Sequence, residues 1–387
     1  MLARSTDVLI VGAGPSGLAL AATLARQRVD AVVIDRLPQP QDTSRAAAIH
    51  ARTLEVLEAI GASDELVQAG LPTHLLSVRD RERVLLSVDF GNLHTRYPYV
   101  LMLAQQRTEA ILTQRLEWFG GKVWRGHQAT ALRIEGDAAE VDITVTGQPL
   151  QTIRARHVVA ADGMHSLIRQ QAGIGFEPGT YAESFVLGDV RMEWPSGTSE
   201  LQLFLAPAGL LVVGAFAAGH YRIIATLPDP PEQPGVDDLQ AILDQRGPGG
   251  ATPRITELAW SSRFRIHHGV AARYRAGPVL LVGDAAHVHS PAGGQGMNIG
   301  IQDACDLGNR LAAALQPGAD AAAILDGYER ARRPAATRVV ALTDRLTRMA
   351  TLQGHWRQAL RNLAIETIGH LPGVPQKLAA QFAELGD

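Results

Sequence analysis

The chain has 387 residues, of which 46% are hydrophobic and 19% are charged, with a formal net charge of −3. This composition is typical of a folded globular protein with about two to three domains. The near-neutral balance includes no basic stripe of the kind that binds nucleic acid. The one cysteine, Cys305, excludes an intrachain disulfide and a C-x-x-C motif. We therefore expect a cytoplasmic protein without a metal site.

The N-terminal region predicts neither a signal peptide nor a membrane span. The apolar run 18–25 follows the glycines of GAGPSG at 12–17 and an earlier apolar run at 8–11. That order is strand, turn and helix, whereas a signal peptide has a charged segment followed by one apolar block. No window reaches the roughly 18 uncharged apolar residues that a membrane span needs. We expect a soluble protein that acts on a small molecule.

The segment 7–35 predicts a nucleotide-binding unit. The apolar strand DVLIV leads into GAGPSG, a helix, and a second strand that ends in an aspartate. The first glycine permits a tight turn, the second lets the backbone approach a pyrophosphate, and the third allows close helix–strand packing. The pyrophosphate would sit at the helix N-terminus, and the aspartate would accept from ribose hydroxyls. The candidates are Gly12, Gly14, Pro15, Ser16, Gly17, Asp35 and Arg36, the last being either an adenine or phosphate contact or a solvated surface arginine.

Two more glycine–aspartate turns follow apolar strands far along the chain. HVVAADG ends in Asp162–Gly163, and GPVLLVGD ends in Gly283–Asp284. Three such strand ends from distant parts of the sequence indicate one long ligand lying across one sheet. FAD is a ligand of that kind.

In this order the motifs resemble those of the class A flavoprotein aromatic hydroxylases, the para-hydroxybenzoate hydroxylase group, from about residue 5 to about 340. GAGPSG is similar to the FAD dinucleotide motif. ADGMHSLIR at 161–169 is similar to the motif that serves both FAD and the reducing nicotinamide. GDAAHVHSPAGGQGMN at 283–298 is similar to the motif that holds the ribityl chain and the isoalloxazine edge. SRAAAIH at 44–50 and LAQQRTEAIL at 103–112 match two flanking flavin-contacting segments.

The resemblance implies a bound, non-covalent FAD. We expect the glycines after Pro291 to let the backbone pass against the flat flavin ring. The helix that opens over 295–301 would direct its free N–H groups at the pyrimidine side and stabilise the anionic reduced flavin. Besides the first motif, the implied FAD contacts are Arg45, Gln105, Ala129, Asp162, Gly163, Gly283, Asp284, Pro291, Gly294, Gly296, Met297 and Asn298.

The implied activity is FAD-dependent monooxygenation. NAD(P)H and O2 would serve to hydroxylate a phenol-like, possibly polycyclic aromatic substrate through a flavin C4a-hydroperoxide. Arg45, Pro291 and His287 are the catalytic candidates; His287 is either a proton relay or a packing residue hydrogen-bonded to backbone. The alternatives are a halogenase, a reductase, a quinone-pathway hydroxylase, or a non-catalytic scaffold. The GWxWxIP signature of flavin halogenases is absent, and intact flavin motifs argue against a scaffold.

The substrate region is the least informative part of the sequence. Residues 201–227 alternate as two strands around a Pro–Ala–Gly turn, one face of which would cover the flavin. No arginine interrupts 201–221, which favours a larger or uncharged aromatic substrate over a benzoate. The pocket candidates are Tyr99, Phe204, Leu211, Val213, Phe216, Pro291 and Ala292, the alternative being that the strand residues fill the core of the sheet.

The predicted fold class is α/β, in which a Rossmann-like FAD-binding domain with a parallel sheet interleaves with an α+β substrate domain whose sheet is mostly antiparallel. We expect C-terminal helices at 341–387, broken at Pro372–Gly373, in place of the thioredoxin-like domain that many members of the group carry. They would pack on the FAD domain or shape the rim of the pocket. We expect a monomer or a homodimer. The FAD domain takes 1–70, 104–178 and 270–340, and the substrate domain takes 71–103 and 179–269.

Overall fold

The computed structural model describes residues 2–40, 46–227, 229–249 and 253–385. Its α-helices are α1 (Pro15–Arg26), α2 (Ala51–Glu58), α3 (Ser63–Ala69), α4 (Gln105–Trp118), α5 (Leu167–Gln171), α6 (Val236–Arg246), α7 (Gly296–Ala314), α8 (Ala321–Ala350), α9 (His355–Gly369) and α10 (Val374–Phe382). A short 3₁₀ helix covers Gly283–Ala285. In this part of the chain no helix is both long and apolar enough to cross a bilayer.

The strands, in chain order, form two large sheets and a small one. They are β1 (Ser5–Val11), β2 (Ala31–Asp35), β3 (Ala48–Ile49), β4 (Leu71–Thr73), β5 (Leu75–Asp80), β6 (Arg83–Asp89), β7 (Val100–Met102), β8 (Val123–Arg125), β9 (Gln128–Glu135), β10 (Ala138–Thr144), β11 (Gln151–Ala160), β12 (Gly179–Met192), β13 (Glu200–Ala206), β14 (Gly209–Ala217), β15 (His220–Leu227), β16 (Ile255–Val270), β17 (Arg275–Ala276), β18 (Val279–Leu281) and β19 (His287–Val288).

The first sheet has a parallel centre, as the apolar runs predict. Its strand order is β17-β18-β11-β1-β2-β8, and β18, β11, β1, β2 and β8 all run parallel. The β-branched and leucine side chains of β1 are buried, as is typical of a strand that is covered on both faces. Helix α1 packs between α4 and α7. Parallel strands end at the same edge, so this topology brings the turns after β1, β11 and β18 together.

The second sheet is mostly antiparallel, in the order β19-β16-β12-β15-β14-β13-β5-β6. One pair, β13 with β5, is parallel. Helix α6 covers one face with Leu239, Ile242 and Leu243. Strands β5 and β6 come from an early part of the chain and β12 to β16 from a later one, so the two sheets interleave along the sequence. The predicted fold class is confirmed; the exact domain limits stay a prediction.

The helices after residue 320 extend the first sheet's side of the molecule and reach back to the second. Helix α8 continues through Pro334, so the helical region expected from residue 341 begins inside a longer helix. Pro334 removes a single backbone donor, and the turns on either side continue. The predicted break at Pro372–Gly373 is present: Gly373 has φ +79° and caps α10. Helix α10 packs against β6.

Candidate active site

Three turns meet at the carboxyl edge of the parallel sheet. The Ala161 amide donates to the Val11 carbonyl at 2.8 Å, and the Val282 amide donates to the Ala160 carbonyl at 3.0 Å. Gly12 has φ +107°, and a Cβ atom there would collide with the Ala161 carbonyl oxygen. The first and second motifs are therefore in direct backbone contact, which only a glycine permits.

The start of α1 is an open cradle. A Cβ atom on Gly14 would have nothing within 4 Å, so space lies beyond this turn. Gly14 is the N-cap, no side chain caps the helix, and Pro15 occupies its first turn. The amide groups of this turn thus keep their donor capacity, which suits an anion such as a pyrophosphate.

Ser16 joins the first motif to the third. Its Oγ would lie 2.5 Å from a Cβ atom on Gly283 and equally 2.5 Å from one on Gly300 of α7. Gly17, in turn, faces the Gly12 carbonyl too closely for any side chain. The hydroxyl therefore occupies the space that two missing side chains leave, and this fixes α1 against the third turn.

Asp35 lies at the end of β2, where the sequence predicted it. Its Oδ2 accepts from the Ala13 amide at 2.7 Å, and its Oδ1 accepts from the Leu37 amide at 2.8 Å. The carboxylate therefore also shapes the glycine turn, a role that sequence reasoning missed. Arg36 is exposed, whereas Arg125 on β8 approaches the Asp35 carboxylate to 3.7 Å.

The second motif closes around Asp162. Its Oδ2 accepts from the Leu167 amide at 2.9 Å, at the start of α5. Burial raises the pKa of this carboxyl. Gly163 has φ +83° and open space around it. Arg169, which was not predicted, donates to the Ala285 carbonyl at 2.9 Å and so ties this motif to the third.

The third motif forms a short turn and then α7. Gly283 has φ +58°, and the Asp284 side chain beside it is exposed. Farther on, the Gly294 amide donates to the Pro291 carbonyl at 2.9 Å. Gln295 is the N-cap of α7, which begins at Gly296 and Met297. No side chain caps this helix either, so its first amides also keep their donor capacity.

Asn298 fastens the loop before it. Its Nδ2 donates to the carbonyls of Ala48 and Gly294, both at 2.8 Å, and its Oδ1 accepts from the His50 amide at 2.8 Å. The His50 ring lies 2.8 Å from the Gly293 carbonyl oxygen. Burial lowers the pKa of His50 to about 4, so the ring is neutral near pH 7. Because a carbonyl can only accept, Nε2 carries the hydrogen. Sequence reasoning missed His50.

His287 is held in a buried charged cluster. Its Nε2 lies 2.7 Å from Oδ2 of Asp303, and its ring stacks on Tyr274 with centroids 6.2 Å apart. The other Asp303 oxygen accepts from Arg332 of α8. His287 therefore binds a carboxylate and not, as expected for a packing residue, the backbone alone. Its part in proton transfer stays a prediction.

Of the two flanking segments, the structure describes 103–112 fully and the other from residue 46 onward. Gln105 begins α4, and its Oε1 accepts from the Ala46 amide at 3.2 Å. Its Nε2 donates to Glu109 at 2.9 Å. Arg45, the other flavin contact expected here, lies outside the described residues. Ala129 is buried on β9 opposite Ile143.

Three of the pocket candidates are corrected. Phe204, Leu211 and Val213 are buried with Leu239 and Leu243 beneath α6. Alternate residues of a strand point to opposite faces, and the sequence alternation did not show which face α6 would cover. These three side chains form a core beneath α6, on the face of the sheet opposite Phe216.

Phe216 lies on the other face of the sheet, and its ring packs against the apolar cluster that contains Met102. The Arg222 guanidinium stacks over this ring at 4.9 Å. Tyr99 instead packs edge-on against His74 and Tyr97. Pro291 and Ala292 are half-buried in the loop before α7. Of the strand candidates, only Phe216 shares a face with Arg222.

The sequence profile of a family described as FAD binding domain matches residues 5–343. The chain belongs to this family. Buried polar atoms without a partner among the described residues fit the assignment, since Gln295 Oε1 lies at the start of α7 and Asp162 Oδ1 in the second turn. Together with the open cradle at Gly14, they leave polar groups and space for the nucleotide. Bound FAD would supply electron transfer and oxygen chemistry.

Individual relatives agree. An uncharacterised aromatic compound monooxygenase of Bacillus subtilis is 35% identical over 98% of this chain and 75% of the relative. A 12-dehydrotetracycline 5-monooxygenase/anhydrotetracycline 6-monooxygenase of Streptomyces rimosus is 34% identical over 98% of this chain and 76% of its own. The p-nitrophenol 4-monooxygenase of Pseudomonas putida superposes with a TM-score of 0.88 at 25% identity, covering 99% of both chains. This member of the FAD-binding family is an FAD-dependent aromatic monooxygenase.

Proposed function

We propose that this FAD-dependent monooxygenase uses NAD(P)H and O2 to hydroxylate an uncharged phenol. The observation that carries the proposal is the buried ion pair between Arg222 and Asp189 on the flavin side of the second sheet. This guanidinium is 2% exposed, and its Nε and Nη2 each donate to the Asp189 carboxylate at 2.8 Å. Such a bidentate ion pair is a strong interaction with a defined geometry.

The pair makes the pocket face electrically neutral. Arg222 stands one residue beyond the arginine-free stretch of the sequence, so a cation is present after all. Its charge is balanced by Asp189 inside the protein and is not left for a substrate carboxylate. Its guanidinium stacks on the Phe216 ring, and the side chains of Met102 and Leu201 lie against Gly214, the residue paired with Arg222. A neutral aromatic ring is the substrate that such a surface accepts at least cost in desolvation.

The proposed class includes phenols of different sizes. The relatives include an enzyme of a one-ring phenol, p-nitrophenol, and one of a four-ring tetracycline precursor. We propose that the flavin contacts are the residues of the three turns, with Pro291 beside the reacting ring; Arg45, the other candidate, lies outside the described residues. On this proposal the chain itself binds, orients and shields the substrate, and His287 is the candidate for moving its proton.

Cys305 supports a non-covalent flavin and a reducing, cytoplasmic setting. The thiol is buried on α7, where its Sγ lies 3.8 Å from Thr23 Oγ1. Burial raises the pKa of this thiol to about 11, so it stays protonated and unreactive. We propose that the enzyme is a monomer or a homodimer, which the sedimentation of the FAD-loaded protein tests directly.

The test of the proposed function is product analysis with labelled oxygen. The FAD-loaded protein is incubated with NADH or NADPH, ¹⁸O₂ and p-cresol, p-hydroxybenzoate or anhydrotetracycline. We expect substrate-stimulated NAD(P)H oxidation and one labelled oxygen atom in a hydroxylated neutral phenol. Oxidation that ends only in hydrogen peroxide with every phenol, or a preference for p-hydroxybenzoate, would contradict the proposal.

Asp189→Asn is expected to change the preference for charge. The substitution keeps a hydrogen-bond acceptor but releases the positive charge of Arg222 toward the pocket. The dissociation constant of p-hydroxybenzoate, measured relative to that of p-cresol by the change in flavin absorbance, should fall about tenfold. Asp237→Asn on the exposed side of α6 is the matched control and should leave the ratio unchanged. An unchanged ratio in Asp189→Asn would show that Arg222 does not face the substrate.

A further inference from the structure

A side chain of α10 stands against the flavin loop. A Cβ atom on Gly293 would lie 3.2 Å from Cε1 and 3.5 Å from Cδ1 of Phe382. Gly293 has φ +87°, in the left-handed region that favours glycine. The phenyl ring therefore occupies the place where a side chain of the loop would otherwise be, directly beside Gly294 and the start of α7.

Contacts lead from this point to the second sheet. A Cβ atom on Gly294 would lie 3.0 Å from Cβ of Ala48, and Ala48 pairs with Met102 across β3 and β7. The Met102 methyl group would lie 2.9 Å from a Cβ atom on Gly214 of β14. Phe382 packs against the same apolar cluster as Phe216. The ring thus lies where the flavin loop and the flavin side of the sheet come together.

The position of the ring is fixed by its own helix. Ala379, one turn earlier, is 1% exposed within the same cluster. The Ala383 carbonyl accepts from the Arg52 amide of α2 at 3.2 Å, immediately after Phe382. Phe382 itself is half-buried, so one part of the ring packs and another part remains accessible. The helix that carries the ring is therefore fixed on both sides of Phe382, which holds the ring beside Gly293.

We infer that Phe382 is a specificity-determining residue that forms the wall of the substrate pocket next to the flavin loop and sets the size of the phenol that fits. The inference rests on the proposed function, since it concerns the acceptor of that reaction. A rigid aromatic face offers a flat phenol offset or edge-to-face contact, and it limits the room for further fused rings. The sequence left open whether the last helices pack on the FAD domain or shape the rim of the pocket, and this inference assigns one of their residues to the pocket.

The test compares Phe382→Ala with Leu378→Ala in the FAD-loaded protein. Leu378 packs on the same cluster one turn earlier, so its truncation costs packing without changing the wall at Gly293. Dissociation constants of p-cresol and anhydrotetracycline are read from the flavin absorbance. In Phe382→Ala the affinity for p-cresol should fall about tenfold while that for anhydrotetracycline stays or rises. Leu378→Ala should keep the wild-type ratio, and Phe382→Trp should shift it in the opposite direction.

Quenching of the flavin fluorescence by iodide gives a readout that needs no substrate. Removing the ring beside Gly293 should raise the quenching constant about threefold in Phe382→Ala and leave it unchanged in Leu378→Ala. An unchanged affinity ratio together with unchanged quenching overturns the inference. If no phenol perturbs the flavin even in the wild type, the proposed substrate class fails, and iodide quenching alone then decides whether Phe382 walls the flavin site.

Discussion

Gly14→Ala is expected to give a folded protein that binds FAD much more weakly. The residue has an ordinary φ of −76°, and a methyl group there touches nothing in the protein. It would instead fill the cradle at the start of α1, where the pyrophosphate needs direct access to the backbone amides. We expect the dissociation constant of FAD to rise ten- to a hundredfold, which corresponds to about 1.4 to 2.7 kcal/mol. Titration of the apoprotein with FAD measures it.

Gly12→Ala is the matched comparison because the added methyl group collides with the protein at residue 12 but not at residue 14. At φ +107° an alanine is strained, and its Cβ would collide with the Ala161 carbonyl oxygen. The damage is therefore to the protein, with a loss of about 2 to 3 kcal/mol in the free energy of unfolding. Denaturant unfolding of both apoproteins separates the two cases. Equal free energies of unfolding for the two variants would contradict the expectation that Gly14 serves nucleotide binding and Gly12 serves the fold.

Glu384→Gln is expected to stabilise the segment 374–385 in a pH-dependent way. Glu384 as a whole is partly exposed, but its carboxylate is buried and accepts from Gln302. Burial raises the pKa of this carboxyl from 4.5 to about 8; Gln302, Arg332 and Arg52 act in the opposite sense, and Asp303 adds to the effect of burial. Glutamine retains the acceptor without a charge.

The direction of the pH dependence follows from the difference in the pKa of Glu384 between the docked segment and the unfolded chain. The docked segment binds the proton more tightly than the unfolded chain, so the carboxyl destabilises the docked form increasingly as pH rises from 4.5 toward 8. Between pH 6 and pH 9 the advantage of Glu384→Gln should grow by about 3 kcal/mol. Hydrogen exchange of residues 374–385 at these two pH values measures it, with surface Glu135→Gln as control. A difference that is the same at both pH values would exclude a buried titrating carboxyl.

The sequence predicted what depends on backbone chemistry. The glycines at 12 and 283 were identifiable because a turn with positive φ has few alternatives to glycine. The aspartates at 35 and 162 were identifiable because each ends a buried strand of one parallel sheet. Strand periodicity also predicted the hairpin of β13 and β14 around residues 207–208, although residues 201–227 contain three strands and not the two expected, because β15 follows β14.

What the sequence did not predict depends on tertiary packing. The alternation along β14 marked two faces, but only the position of α6 decided that Leu211 belongs to the core and Phe216 to the other side. His50 carried no signal because its partner, Gly293, is 243 residues away. Phe382 looked like an ordinary apolar residue of an amphipathic helix. Arg222 gave a usable signal, a lone charge in an apolar strand, at the first position beyond the stretch that was considered.

The Ser16 side chain lies between Gly283 and Gly300, and this contact determines when the protein can bind its cofactor during synthesis. The cradle of α1 leaves the ribosome long before its wall, because Gly283 and Gly300 are made 267 and 284 positions after Ser16. Contacts so distant in sequence form late and slowly. A nascent chain that stops before α7 therefore has the pyrophosphate turn but not a complete nucleotide site. We expect FAD to bind only once α7 has been made. FAD binding to chains truncated before Gly296 or after Ala314 would show this difference.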